Sequence, residues 1–154
     1  MVADTLSEVL GSEVLGLRTK EALPPTFLMT EVEKGLPLAA LDRLAKAVAP
    51  DDAGFAFRLV SRATLARRRK ALATAGHTAA SRLSAEEGAR VARLAAVWAF
   101  AREVWGSDEE ARSFLFHPHP LLDGRRPVDV VLANEFGRPL VEGILGRLQY
   151  GSAV

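Results

Sequence analysis

Apolar residues recur along this chain at three- and four-residue steps, the period of helices. The strongest run is Leu83 to Gly106. Val91, Leu94, Ala95, Trp98, Ala101 and Trp105 share one helical face, and Val97, Phe100 and Val104 form a second stripe beside it. A helix apolar on two stripes must be covered from more than one side, so this segment is expected to be a central pillar. Ser84 and Glu87 stand at capping-box spacing at its start, and Gly106 supplies a left-handed stop. Covering both stripes in so short a chain predicts a homodimer; the alternative is that the N-terminal helices cover the second stripe.

Around the pillar, the pattern divides the chain. Residues 1–25 read as a mobile arm or a short docked helix, interrupted by Gly11, Gly16 and Pro24-Pro25. Thr26 can cap a helix holding Phe27, Leu28 and Val32, closed by Gly35. Leu38, Leu41, Leu44, Ala45 and Val48 trace one face of the next, between Pro37 and Pro50. Asp51 or Asp52 can cap an element with Phe55, Leu59 and Val60, either a helix or a short strand. Ser61 opens a fourth helix in which Leu65 and Leu72 face inward. Residues 73–82 are small and polar and read as a linker.

Past Gly106, Ser107 and Glu110 repeat the capping-box spacing before Ala111, Phe114 and Leu115. The prolines of His117-Pro-His119-Pro impose extended backbone. Asp123-Gly124 signals a turn. Pro127 can start a helix with Val128, Val131 and Leu132 that Asn134 and Gly137 end. Pro139 can start the last, with Leu140, Val141, Ile144, Leu145 and Leu148 as its apolar face. The fold class expected is all-α.

Charge changes this picture in one place. The 154 residues carry a formal net charge of +1, yet residues 53–85 hold seven basic residues and no acid. Arg62, Thr64, Arg67, Arg68, Arg69 and Lys70 crowd the surface left by Leu65 and Leu72. A short helix, a turn and a helix with a basic face fit a helix-turn-helix, so these six are the candidate DNA-binding residues. A solvated basic face is the competing reading. Composition mostly excludes. With no cysteine there is no disulfide, thiol nucleophile or cysteine-bound zinc, which suits a reducing cytoplasm. No apolar run is long enough for a membrane span. His117 and His119 point to opposite sides of an extended segment, so no metal site is expected. No nucleophile–base pair or glycine-rich phosphate loop stands out, so neither enzyme activity nor a cofactor is expected.

The second half resembles a known family. The matching pieces are the L-S-x-E-E opening at Leu83, V-W-G-S-x-E-E-A from Val104, P-L-L-D-G-R-R-P-V-D from Pro120, and R-L-Q-Y-G ending at Gly151. Together they are similar to the toxin-binding domain of Xre/MbcA/ParS antitoxins, partners of RES-domain toxins. Residues 26–76 resemble, more loosely, the family's Xre-like helix-turn-helix. Two departures stand out: Phe114-Leu115 replaces a usual tryptophan-leucine pair, and Asp123 replaces a small residue. The resemblance implies a helix-turn-helix region at 26–76 and a toxin-binding domain at 83–154. It implies a cytoplasmic antitoxin that inhibits an NAD-consuming RES toxin and represses its own operon, pairing with itself and with the toxin. The alternative is a helix-turn-helix regulator whose C-terminal half only dimerises. On the antitoxin reading, Arg147, Tyr150 and Gly151 are the candidate toxin-binding residues. Tyr150 either enters a cleft of the toxin or folds back onto its own domain.

Overall fold

The structure is a computed structural model that describes residues 11–17, 24 and 26–151. Among these residues every regular element is helical. Residues 11–14 form a helical turn. The main elements then follow as α1 (Phe27–Lys34), α2 (Leu38–Val48), α3 (Arg62–Ala75), α4 (Ala85–Trp105), α5 (Asp108–Phe116), α6 (Pro127–Ala133) and α7 (Gly137–Gln149). Short 3-10 turns at Phe55–Arg58, Ala79–Ser81 and Pro120–Leu122 join them.

Helix α4 is the pillar. Its first turn is closed by the expected capping box. The Glu87 amide donates to Ser84 Oγ at 3.2 Å, and the Ser84 amide donates to Glu87 Oε1 at 2.7 Å. Gly106, at φ 81°, ends it by donating to the Arg102 carbonyl. Between those ends Val91, Leu94, Ala95, Val97, Trp98 and Ala101 are at most 1% exposed. Helices α1, α2, α5, α6 and α7 all pack against it. The turn at residues 11–14 covers a further side: a Cβ on Gly11 would stand 3.0 Å from the Ala96 amide nitrogen. Apart from Trp105, 39% exposed in the last turn, both stripes are covered within one chain, so their coverage needs no second copy. Alanines at 92, 95, 96, 99 and 101 let neighbouring backbones come this close.

The remaining differences from the sequence reading are local. Thr26 precedes α1 without a side-chain capping bond. The segment at Phe55 is a 3-10 turn, opened by Asp52 Oδ1 accepting from the Gly54 amide at 2.9 Å. Helix α3 runs on to Ala75, and the expected linker beyond it is tightly bonded. Ser81 is 2% exposed, its hydroxyl bonding the Gly76 and Thr78 carbonyls, while the Leu83 amide reaches the Leu36 carbonyl at 2.9 Å. One core runs from Leu15 to Leu145.

Helix α7 starts at Gly137 rather than at Pro139. A Cβ at Gly137 would lie 1.8 Å from the Val130 carbonyl oxygen, so only glycine lets α7 start this close against α6. Its buried face is Val141, Ile144 and Leu145. Leu140 and Leu148, expected inside, are 57% and 47% exposed. Phe114 is buried, its ring lying against Trp105 and His119. Asp123 takes the left-handed backbone at φ 55°, which aspartate tolerates.

Candidate functional surfaces

Two outward faces carry the candidate residues. The first belongs to α3. Ser61 caps the helix and accepts from the Thr64 amide at 3.3 Å, and the two hydroxyls bond at 2.9 Å. Leu65 fixes the inner face. The six candidates then separate. Arg67 and Lys70 are exposed and have no ionic partner among the described residues. Arg62 is exposed with its guanidinium 4.0 Å above the Phe57 ring. Arg69 forks onto Asp42 of α2 through bonds of 3.1 and 2.7 Å, and that bond raises its pKa above the ordinary arginine value. Its charge is thereby paired with a carboxylate on the same surface.

Arg68 turns inward, away from the outer arc of α3. Its side chain is 14% exposed, bonded to Glu87 Oε1 at 2.7 Å and donating to the Arg82 carbonyl at 2.7 Å. Its Nε is buried with no partner in range. Arg68 thus clamps α3 onto the first turn of the pillar. Thr64, half-buried and spent on its own cap, is also turned away from the open arc.

The second face belongs to α7. Phe136, Leu140, Gly143, Arg147 and Tyr150 recur at steps of four and three residues, so they line one side of the helix. Phe136 is 74% and Tyr150 75% exposed. Tyr150 does not fold back: its amide caps the helix on the Gly146 carbonyl while its ring stays in solvent. Gly151, at φ 64°, turns the chain left-handed and donates to Leu148 O. Arg147 Nε donates to the Gly143 carbonyl one turn back, which holds the guanidinium along the helix. An apolar row this exposed, with an arginine in it, has the composition of a protein-binding surface.

Sequence reasoning missed Phe136 and Leu140. The signal was available, because the 4-3-4-3 spacing from Phe136 to Tyr150 runs the whole helix. It was masked by five apolar residues from 140 to 148 that read as one face. Reasoning from the sequence also missed Arg126 and Asp129, a pair three residues apart that Arg58 joins from 71 residues away.

The histidines are spent locally. The His117 ring Nδ1 lies 2.7 Å from the Ser113 carbonyl, and the His119 ring Nδ1 accepts from the Leu121 amide at 3.1 Å. No cluster of metal-ligating side chains occurs among the described residues. Nor is any helix among them long and apolar enough to cross a membrane.

An all-helical chain with a capped basic helix in one half and an exposed apolar stripe in the other is built to bind on two sides. Residues 27–96 match the antitoxin Xre-like helix-turn-helix domain, and residues 100–151 match the antitoxin Xre/MbcA/ParS C-terminal toxin-binding domain. The two spans cover more than three-quarters of the chain, which belongs to the Xre/MbcA/ParS antitoxin family. No curated protein sequence matches it.

Proposed function

We propose that this chain neutralises a RES-domain toxin, an NAD-consuming enzyme, and represses its own operon by binding operator DNA. The observation that carries the toxin half is the exposed row Phe136, Leu140, Arg147 and Tyr150, which lies inside the span matching a toxin-binding domain. Aromatic and arginine side chains are the usual anchors of such contacts. Tyr150 enters the mouth of the toxin's NAD site, Gly151 bends the chain there, and Arg147 meets acidic toxin groups. With the pillar covered inside one chain, the toxin rather than a second copy is the partner proposed for the α7 row. The DNA half rests on Arg62, Arg67 and Lys70, with Arg69 beside them, on the outer arc of α3. Arg68 is a clamp in this reading and Thr64 a capping residue. Binding, not catalysis, is the activity proposed.

The test is to delete residues 150–154 and assay NAD consumption by the RES-type protein encoded beside this chain. The truncated protein stays folded, still binds DNA, and no longer stops NAD consumption. Because Tyr150 contributes little to the core, its loss leaves the melting temperature nearly unchanged. Full inhibition by a stably folded truncation contradicts the tail's role.

A further inference from the structure

A second basic surface lies where α3 begins, and half of it comes from the toxin-binding half of the chain. Arg58, in the turn before α3, donates from Nη2 to Asp129 Oδ1 at 2.6 Å. Arg126 forks onto the same carboxylate, through Nε to Oδ2 at 2.8 Å and Nη2 to Oδ1 at 3.1 Å. The two guanidiniums therefore lie side by side, although 68 residues separate them in the chain. Each also stands over a phenylalanine: Arg58 is 5.8 Å from the Phe55 centroid and Arg126 5.9 Å from that of Phe116. Those two rings meet edge to face at 6.0 Å. Arg62, the first residue of α3, covers Phe57 two positions along the same turn. Arg125, exposed and without a side-chain partner among the described residues, directly precedes Arg126 in the chain.

We infer that Arg62, Arg58, Arg126 and Arg125 form a continuous phosphate-binding ridge, so that the C-terminal half contributes directly to DNA binding. This rests on the DNA reading of α3. A helix-turn-helix places the start of its second helix at the major groove, where the flanking backbone passes beside the preceding turn. Phosphate contacts there fix register without reading sequence. The donors remain available: a guanidinium has five N–H groups, and Asp129 takes two from Arg126 and one from Arg58. Held over aromatic rings, the planar groups lose little freedom when a phosphate arrives. Two of the four guanidiniums share the one Asp129 carboxylate, and Arg62 and Arg125 have no acidic partner among the described residues, which leaves the ridge net positive. Neutralising an acidic toxin surface is the competing use, and a pure strut between the halves is the other.

The full chain is titrated with a duplex carrying the region upstream of its own gene, and with a scrambled duplex, over a range of salt. Arg125→Ala weakens binding to both about fivefold near 0.15 M salt and lowers the salt slope by about 0.9, the loss of one phosphate contact. Its melting temperature and toxin affinity do not change. Arg126→Ala lowers the slope further. The ridge is overturned if both variants bind DNA as the parent does, whether toxin affinity falls, marking a protein contact, or only stability falls, marking a strut. Arg67→Ala with Lys70→Ala is the control: if that pair also leaves DNA binding intact, the DNA reading of α3 fails along with the ridge.

Discussion

Helices α3 and α7 each turn one face to solvent, but they hold that face in opposite ways. On α3 the sequence shows a block of cations with no acid near it, and the fold brings acids in from elsewhere. Asp42 comes from 27 residues before Arg69, and Glu87 from 19 residues after Arg68. On α7 the sequence shows a broad apolar face, and the fold splits it. Val141, Ile144 and Leu145 go into the core, while Leu140 goes out to join Phe136 and Tyr150. One face offers less charge than its composition promises, and the other offers more apolar surface. Composition along a helix states what a face is made of; only the packed neighbours state what of it is left for a partner.

The comparison can be broken at its structural supports. Gly137→Ala has the largest expected effect, because its Cβ meets backbone at 1.8 Å and backbone cannot step aside. A loss of about 3 kcal/mol is expected, seen as a lower denaturation midpoint at unchanged slope. The outer row of α7 shifts with it, so toxin affinity falls too. Glu87→Gln comes next. It keeps the cap's acceptor but removes the charge facing Arg68, and about 1.5 kcal/mol of stability goes with it. Arg67→Ala changes stability by less than about 0.5 kcal/mol, yet weakens DNA binding roughly fivefold. Equal stability losses for Glu87→Gln, which unpairs Arg68, and for Arg67→Ala next to it contradict the division of α3 into a clamp and a free arc.

The smallest effect concerns acid. The Arg126 bond, with help from Arg58, holds the Asp129 carboxyl below its ordinary value. Its folded pKa is depressed, so its contribution is complete above the unfolded carboxylate pKa near about 4 and fades as pH falls through the folded value. Asp129→Asn therefore flattens the acid limb of the stability curve and leaves its neutral-to-basic shape alone. A change confined to pH above 6 contradicts this.

Much of the fold was legible because its signals are local. The Ser84–Glu87 box, the Gly106 stop, the apolar face of α2, the Ser61 cap and the extended backbone at His117 and His119 each depend on residues within a few positions. What was not legible depends on residues brought together from a distance. The start of α7 is set by Val130 against Gly137, the coverage of the pillar by residues 11–14, and the state of Arg68 by Glu87. The candidate surfaces follow the same rule. Tyr150 and Arg147 were visible as the end of an amphipathic helix, whereas the Arg58–Asp129–Arg126 cluster joins halves that the sequence separates by a linker.

On the function proposed, the outer row of α7, not the basic face of α3, holds the toxin. The direct measurement is calorimetric titration of the RES-type toxin into the full chain carrying Leu140→Glu, with Arg67→Ala plus Lys70→Ala measured alongside. Leu140 is more than half exposed, so the charge is tolerated by the fold. Leu140→Glu is expected to weaken toxin binding by about 2 kcal/mol or more, roughly thirtyfold, while DNA affinity holds and the α3 pair behaves the other way round. Toxin affinity unchanged by Leu140→Glu, in a protein that melts like the parent, contradicts it.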